Sequence, residues 1–600
     1  MQPAPTQRDQ LDAPAPRLAR DEGGFVLPWM AIMLIVLIAM AGFGVDVWNW
    51  WYTSQKVQRA ADAGALAGVP FMPGDLAGAQ STALAVVKQN GYQRANAVPG
   101  LKDNQLVVTV DDTVSNYFTS LLGLSTTNIA RSATAEFNAP VAMGSPAGHL
   151  ANDPENGAAD QHWLNIGAPG VDKHTGDRFA DYAFCGSNSF NCPGGKNGDY
   201  LDGTYVYTVD VPTVGGNGAD IQVYDPELAV GNQNCDNFWL TSGPVSQIAT
   251  LTPTYPDAAV RYAGGQGIYC TGDDNTNLGA GKNPQATAWL VRDGSTFPGQ
   301  PLQNPVVPSG GPPGATACAH QFKGYVPTDG NYWFNLLNPA NTSGTPAYDA
   351  DFALAFHRWY PLCHVTKPGK YFIQVRSNVP YSSGLFNDVT TLEAKQNPPS
   401  DTSLAGQNRY SVRVIDSATK LVPVDAQTYA LTRLPVYTNT LANFNPTFYL
   451  ARLLPGGGST GRTLRLTFYD IGDVSGTTQL DILPPDDSPQ KASITCANWV
   501  FNGDPANPKP SGVSTTALPS GCRMSGITSG DYTSGTNGVL VDVNVKTPAN
   551  YTCGAGLPKG VNDPNACWFK IKMTYSSGAQ ANDTTTWGAT IGGDPVRLVK

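Results

Sequence analysis

Several short stretches contain residue types that could perform chemistry, and the first is a Gly-x-Ser-x-Gly pattern. It is formed by Gly457, Ser459 and Gly461. A serine nucleophile in this pattern needs a strand before it and a helix after it, because the sharp turn between them exposes the hydroxyl. Residues 462–468 alternate between polar and apolar side chains as a strand does. The stretch therefore predicts a hairpin turn and not a nucleophile.

Histidine and cysteine side chains form the second group, because zinc sites are built from them. Candidate ligands occur in one region of the chain: Cys318, His320, His357, Cys363 and His364. The spacing of the last two histidines does not place them on one helix face, and a disulfide is the favoured state of the cysteines. Three other histidines lie in loop-like sequence and are predicted to be solvated, namely His149, His162 and His174.

Acidic turns are the third group, because carboxylate oxygens are the ligands that Ca²⁺ prefers. Asp273-Asp274-Asn275 forms one such turn, and Asp470 with Asp473 forms another. Ordinary turns use the same residues without a metal, and neither stretch follows the EF-hand pattern. We therefore predict no cofactor, no metal site and no enzyme activity.

Tryptophan side chains suggest one further possibility, which is binding of surface glycans. An aromatic ring can stack on the apolar C–H face of a sugar. The candidates are Trp239, Trp289, Trp333 and Trp359. Tryptophans of β-sandwiches commonly belong to the core, as in immunoglobulin-like domains, and that reading stays open beside glycan binding.

The composition of the whole chain indicates turn-rich β structure in several domains. Six hundred residues exceed the size of one domain, and only 14% of them are charged. The 64 glycines, 48 prolines and 10% aromatic residues are atypical of coiled coils and of disordered chains. A net charge of −10, with no long run of Lys or Arg, argues against nucleic acid as a partner.

One uncharged apolar run, Gly24–Val45, is long enough to cross a bilayer of roughly 30 Å. Trp29 marks one end, and tryptophans from Trp48 onward mark the other, as an aromatic belt does. Arginines before the run place the N-terminus in the cytoplasm. We thus expect a single-pass cell-membrane protein with its C-terminal region outside the cytoplasm. The alternative is a signal peptide cleaved after Ala41.

The ten cysteines all follow this apolar run, and none precedes it. An even number of cysteines on one side of a membrane indicates an oxidising compartment and a set of disulfides. The full connectivity is not readable from the sequence. Cys185 with Cys192 and Cys553 with Cys567 are the most plausible short loops.

Helix-forming residues continue beyond the apolar run, so we predict one helix from Gly24 to Gly68, about 65 Å long. Small residues recur at four-residue spacing along it, at Ala60, Gly64 and Gly68. Such a face lets another helix approach closely, either a partner's or one from the same domain. The positions predicted for membrane or helix packing are Gly24, Gly42, Gly44, Asp46, Ala60, Asp62, Gly64 and Gly68.

The apolar run, Asp46 and the motif of residues 58–67, QRAADAGALA, resemble the N-terminal segment of TadE/TadG-like proteins of Flp (Tad) pilus assembly. The resemblance covers about the first 140 residues. It implies a small pilin-like α+β unit with helices at 75–92 and 115–124 and strands at 105–111 and 129–137. Trp29 stands where processed pseudopilins have Glu, and the metal motif of some TadG-like proteins is absent, so neither property is expected here.

Short alternating strands dominate the rest of the chain. Residues 204–226 and 447–472 share a pattern of aromatic strand, proline, Gly-rich turn, alternating strand and Tyr-Asp. We interpret them as parts of two related β-sandwiches. The predicted domains are a cytoplasmic tail (1–23), a transmembrane helix (24–45), the TadE/TadG-like unit (46–140), a Gly/Asn/Pro-rich linker (141–194) and two sandwiches (195–435 and 440–600).

The resulting expectation is an α+β N-terminal unit on a long transmembrane helix, followed by tandem β-sandwiches. By the resemblance, the protein would be a membrane-anchored envelope component that engages the lipid bilayer and pilus assembly or secretion proteins. The exported β-rich region would be a scaffold or an adhesive surface. The alternative is a secreted carbohydrate-binding protein or hydrolase, released by cleavage of the signal peptide.

Overall fold

The fold is described from a computed structural model of the full chain. Its described residues divide into two compact units. Unit 1 comprises residues up to Phe137 together with the last strand, and unit 2 comprises the residues between them. The described ranges are 23–72, 76–100, 105–137, 140–155, 162–185, 189–202, 205–213, 216–230, 245–262, 268–276, 278–279, 281–297, 300–308, 310, 317–328, 331–381, 389–393, 402–440, 445–455, 461–504, 506–530, 532–576, 581–591 and 596–599. The predicted cytoplasmic tail, apart from Gly23, lies outside them.

A single continuous helix, α1 (Gly23–Gly68), begins unit 1. Its 46 residues span about 69 Å at 1.5 Å per residue. Pro28 is its only proline and lies in its second turn, so it removes one backbone hydrogen bond near the helix N-terminus without ending the helix. The predicted continuity of the apolar run with the polar helix after it is therefore present in the structure.

Unit 1 packs the second half of α1 and a shorter helix, α2 (Leu76–Gln89), against an antiparallel sheet. The sheet contains β1 (Arg94–Pro99), β2 (Gln105–Ser115) and β3 (Thr126–Phe137). Apolar residues at four-residue spacing form the helical side of the core: Val57, Ala61 and Ala65 from α1, Val69 directly after it, and Ala79, Ala83 and Val87 from α2. This spacing keeps each set on one helix face, which explains the close packing of both helices.

The last strand of the chain, β27 (Val596–Val599), belongs to this same sheet. It pairs antiparallel with β3, with Val596 opposite Phe137 and Val599 opposite Thr134. Unit 2 is therefore an insertion between two neighbouring strands of unit 1. The sequence prediction placed residues 596–600 in the second sandwich, and here the structure differs.

Deleting residues 596–600 should weaken unit 1 and leave unit 2 intact. The deletion removes the hydrogen-bonded neighbour of β3 and turns β3 into an open edge. We expect amide hydrogen exchange in residues 134–137 to accelerate about tenfold or more. Exchange in the strands of unit 2 serves as the internal control. Unchanged exchange in β3 would contradict the pairing.

Unit 2 is built mainly from two large antiparallel sheets. Sheet I has the order β11-β10-β13-β7-β16-β4-β18-β25-β20-β23-β22. Its strands are β4 (Ala142–Gly144), β7 (Tyr205–Val211), β10 (Thr287–Asp293), β11 (Ala319–Phe322), β13 (Gly369–Arg376), β16 (Gln427–Leu431), β18 (Thr447–Arg452), β20 (Thr478–Leu483), β22 (Ser514–Ala517), β23 (Cys522–Ile527) and β25 (Trp568–Tyr575).

Sheet II has the order β12-β8-β15-β6-β17-β26-β19-β24-β21, with β5 beside β15. Its strands are β5 (His149–Leu150), β6 (Trp163–Gly167), β8 (Ala219–Tyr224), β12 (Trp359–Val365), β15 (Gln407–Asp416), β17 (Arg433–Thr440), β19 (Thr463–Tyr469), β21 (Thr495–Phe501), β24 (Leu540–Lys546) and β26 (Ala581–Ile591). Two short strands pair in parallel, β9 (Asn283–Pro284) and β14 (Leu404–Ala405). Short helices lie between strands, α3 (Val245–Leu251), α4 (Ala258–Arg261), α5 (Tyr332–Leu337), α6 (Ala350–Ala355) and α7 (Val389–Glu393).

The two sheets pack through one continuous core and not through two separate ones. Both sheets run across the expected domain boundary near residue 440, since β17 pairs with β26 along eight residues. The predicted linker also differs from the structure. Residues 141–194 contribute β4, β5 and β6, and Leu164 and Ile166 are fully buried. These strands could not be recognised in the Gly- and Asp-rich sequence, because each is only two to five residues long.

The two halves of unit 2 repeat one topology in the same chain order. The strands β7, β8, β10, β11, β12, β13 and β15 of the first half correspond to β18, β19, β20, β23, β24, β25 and β26 of the second. The neighbours within each half also correspond, since β8 lies between β12 and β15 as β19 lies between β24 and β26. The two sequence stretches with the shared pattern are β7–β8 and β18–β19, so the sequence similarity coincides with structural equivalence.

The predicted fold class is confirmed at this level. The chain begins with a long apolar helix, and the remainder is mostly antiparallel β structure.

Candidate functional site

The first half of α1 is an apolar surface that the described chain leaves uncovered. Between Val26 and Val47 only Gly42 and Asp46 are buried. Among the described residues, α1 is the one helix long and apolar enough to cross a membrane. A core helix of a soluble domain would be covered by its own chain, so this exposure is typical of a membrane anchor or a signal sequence.

Asp46 ends the apolar run and holds a loop of unit 1 against the helix. Its carboxylate accepts hydrogen bonds from the backbone N–H groups of Tyr117 (2.7 Å), Phe118 (3.0 Å) and Thr119 (2.7 Å). The Thr119 hydroxyl donates a further bond of 3.0 Å. One side chain thus satisfies the backbone N–H groups that lead into a short 3₁₀ helix, Thr119–Leu122.

Further contacts fix the same loop to neighbouring turns of α1. The indole N–H of Trp50 donates to Asn116 Oδ1 at 2.7 Å. The Phe118 ring lies against Gly42, where an added Cβ would overlap it. Gly42 therefore lacks a side chain because the ring occupies that space. Gly44, another predicted packing position, is exposed and has nothing within reach of an added Cβ.

The small-residue face of α1 packs on its own unit. A Cβ on Gly64 would lie 2.7 Å from Val87 Cγ2, and one on Gly68 would overlap Ala79 and Leu106. Ala60 is buried on the same helix, and Asp62 accepts a hydrogen bond of 2.8 Å from Gln58. The sequence left open whether this face contacts a partner's helix or a helix of the same domain. In the structure the face packs against α2 and β2 of its own unit. Gly64→Ile would therefore disturb unit 1 itself and is no test of a partner interface.

One known protein family is similar to the N-terminal segment of the chain. Residues 24–87 match the family described as putative Flp pilus-assembly TadE/G-like. The match covers α1 and most of α2, and it confirms the resemblance expected for the N-terminal region. No curated protein and no solved structure matches the chain. The similarity to known proteins is therefore limited to residues 24–87.

Four disulfides join described cysteines of unit 2. Cys185 is bonded to Cys192, and Cys553 to Cys567, which are the two short loops expected from the sequence. Two longer-range bonds link the sheets, Cys318–Cys363 and Cys496–Cys522. Cys235 lies outside the described residues. No described cysteine is free, which is typical of a protein that folds in an oxidising compartment.

The candidate zinc ligands do not come together as a site in the described part of the chain. Cys318 and Cys363 are consumed by their disulfide. His320 is buried, and its Nε2 lies 2.7 Å from the Leu362 carbonyl oxygen. The histidines predicted to be solvated are partly or fully covered, because His162 is only 1% exposed and His149 and His174 are half-buried. The serine of the Gly-x-Ser-x-Gly pattern lies outside the described residues.

Three of the four tryptophans proposed for glycan stacking are core residues. Trp289, Trp333 and Trp359 are each less than 10% exposed, and Trp239 lies outside the described residues. One pocket of unit 2 is lined by Glu227, Asp351 and several aromatic side chains, none of them a tryptophan. Its volume of about 10 Å³ holds roughly one water and no sugar ring.

Two equivalent corners of unit 2 are each supported by a buried aspartate, Asp225 in the first half and Asp470, from one of the expected acidic turns, in the second. Asp225 and Asp470 follow the repeated tyrosine at the ends of β8 and β19, and both have positive φ, 55° and 61°. Asp225 Oδ1 accepts from the His357 N–H at 2.9 Å, and Asp470 Oδ1 accepts from the Gly538 N–H at 2.5 Å. The donor His357 lies two residues before β12, and the donor Gly538 lies two residues before the equivalent strand β24. The two corners therefore have the same hydrogen-bonding arrangement.

Burial raises the pKa of carboxyls at these corners. Desolvation raises the pKa of Asp225 to about 7, and raises that of Asp470 well above its usual range. Asp273 shares the first corner, where its oxygens accept the Ala229 and Arg409 N–H groups at 2.6 and 2.7 Å. The one described group of three ligand-type residues with adjacent atoms contains the Cys553–Cys567 disulfide, which is unsuited to a metal.

The thermal stability of unit 2 should fall as the pH rises from 6.5 to 8. The folded protein keeps Asp225 protonated up to about pH 7, whereas the unfolded chain releases that proton near 3.8. The stabilisation is therefore complete below 3.8 and is lost as the pH rises through 7. Burial lowers the pKa of His320 and His357 from 6.5 to about 4. These histidines therefore change the stability only below about pH 6.5, where the unfolded chain takes up their protons. Calorimetry of wild type and Asp225→Asn is the measurement, and an equal slope for both would contradict the assignment.

The loop that binds Asp46 is the functional feature that the sequence did not reveal. Residues 115–124 were expected to form a short helix, and the structure has a single 3₁₀ turn there. A signal was present, because the chain carries no charge from Thr113 to Ala130. An uncharged loop rich in leucine is unusual for a solvent-exposed turn.

Proposed function

We propose that this protein is a single-pass component of a pilus assembly system of the TadE/G-like kind, with α1 in the membrane. Its N-terminus would lie in the cytoplasm, and unit 2 would be a scaffold or adhesive body outside it. Packing and binding, not catalysis, would be its mechanism. The partners would be the bilayer and proteins of the assembly machinery.

One observation carries the proposal: α1 is a single helix whose apolar half is uncovered and whose other half is built into a folded domain. Such a helix couples a membrane position rigidly to the domain beyond it. The disulfides of unit 2 and the family match of residues 24–87 support the same arrangement. The secreted alternative lacks comparable support, because its candidate sugar-binding tryptophans are buried where described.

The experiment is complementation of a gene deletion in the native host, with surface pili counted by electron microscopy. We expect the deletion to reduce Flp-type pili and the full chain to restore them. A shortened variant replaces 138–595 by an Asn-Gly turn, because Phe137 and Val596 are direct antiparallel neighbours that a two-residue hairpin can join. This variant separates the contribution of unit 1 from that of unit 2.

Normal pilus numbers in the deletion strain would contradict the proposal. Mass spectrometry of the mature N-terminus distinguishes the alternative. A chain that begins at Gly42 and appears in the medium would favour the secreted protein over the anchored one.

A further inference from the structure

The loop of residues 115–125 exposes more apolar surface than its neighbours in the folded part of unit 1. Leu121 is 83% exposed, Leu122 81% and Leu124 61%. Three leucines this exposed within four residues are unfavourable in water, since each leaves most of its apolar area in contact with solvent. A contiguous exposed apolar patch marks an interaction surface.

The position of this loop is fixed beside the last apolar turn of α1. Asp46 binds the backbone of residues 117–119, and Phe118 lies against Gly42, one turn deeper into the apolar run. The loop therefore reaches at least to the depth of Gly42. The apolar run of α1 ends at Val45, between the two residues that the loop contacts. The loop therefore lies where the helix would leave a bilayer.

The leucines extend the exposed apolar surface of α1, and no charged residue of the loop interrupts that surface. Ile38 and Val45 lie four residues before and three residues after Gly42, on the helix face that the loop contacts, and both are exposed. The nearest charged residues along the chain are Asp112 and Arg131, outside the loop on β2 and β3. Exposed Trp48 and Trp51 occupy the next turns of α1, and tryptophan is the residue that prefers the membrane–water interface.

We propose that the 115–125 loop is a second membrane contact, which inserts Leu121, Leu122 and Leu124 among the lipid chains of the leaflet from which unit 1 emerges. The occupant of this surface is lipid, because the surface is continuous with the apolar face of α1. This inference rests on the membrane anchoring proposed above. Two contacts with one leaflet would fix the tilt and rotation of unit 1, which one helix alone leaves free.

The experiment uses the full chain in phosphatidylcholine nanodiscs and a lipid-sensitive fluorophore on single engineered cysteines. No described cysteine is free, so a new thiol can be labelled selectively. The test position is Leu121→Cys. Leu37→Cys, in the middle of the apolar run, reports the anchor itself, and Leu84→Cys, an exposed leucine on α2, is the aqueous control. Quenching by lipids with a nitroxide near the headgroup is compared with quenching by lipids with a nitroxide deep in the chain.

We expect shallow nitroxides to quench the label at position 121 at least about three times more strongly than the label at position 84. Quenching at 121 no stronger than at 84, with deep quenching retained at 37, would overturn the loop contact and leave the anchor in place. Loss of quenching at 37 as well would overturn the anchor. A blue-shifted label at 121 that is insensitive to nitroxide lipids would assign the surface to a protein partner and overturn the lipid contact.

Discussion

Asp46→Ala should release the 115–125 loop from α1 and make unit 1 the least protected part of the chain. Asp46 is buried, and its carboxylate serves three backbone N–H groups and one hydroxyl. Alanine removes the acceptor while the donors stay beside the helix, and unpaired donors are more costly than absent ones. We expect amide exchange of residues 117–119 to accelerate about a hundredfold or more, measured by mass spectrometry in nanodiscs.

Two variants make the result specific to the carboxylate. Asp111→Ala removes an exposed acid on β2 of the same unit and should leave the exchange rates unchanged. Asp46→Asn keeps one acceptor oxygen but turns an N–H₂ toward donors, so it should lie between wild type and alanine. Exchange in Asp46→Ala as slow as in Asp111→Ala would show that the loop is held by other contacts.

Asp153→Ala should lower the free energy of unfolding of unit 2 by about 1.5–3 kcal/mol, because it removes a fully buried carboxylate that accepts hydrogen bonds from a buried guanidinium. Asp153 is fully buried and lies 3.1 Å from Arg413 Nη1. The same guanidinium donates to Gln222 and Glu155 at 2.8 and 2.7 Å and stacks on Trp359. Denaturant unfolding monitored by tryptophan fluorescence measures the change.

A surface ion pair of the same unit provides the matched control. Lys559 and Asp425 are both about half exposed, so Asp425→Ala should cost less than about 1 kcal/mol. The double variant Asp153→Ala with Arg413→Met should recover part of the loss, because the buried guanidinium that lost an acceptor is then replaced by an apolar side chain. If Asp153→Ala is as mild as Asp425→Ala, residues 141–194 do not belong to the core of unit 2.

The architecture of unit 1 was largely readable from the sequence. The uncharged run and the helix formers after it predict α1, and alternation predicts β2 and β3, because these signals are local. The sequence could not show that residues 596–599 return to β3. A four-residue strand has no periodicity of its own, and its partner lies more than 450 residues away along the chain.

In unit 2 the sequence predicted the repeated hairpins but not how the two halves join. The shared Tyr-Asp pattern marks the equivalent corners at Asp225 and Asp470. The continuity of both sheets depends on strand pairs such as β17 with β26, which no local pattern records. The tryptophans illustrate the same limit. An aromatic side chain on an alternating strand can face either the core or solvent, and only the packed sheets decide between the two.

The central claim is that α1 holds a disulfide-containing β region outside the cytoplasm. Its most direct test is protease treatment of cells with an intact cytoplasmic membrane, followed by fractionation and detection with an antibody against unit 2. We predict that the full chain is found in the membrane fraction and that added protease removes the unit 2 signal while a cytoplasmic marker survives. A full-length chain that is soluble in the cytoplasm, protected from protease and carrying reduced thiols would contradict the account.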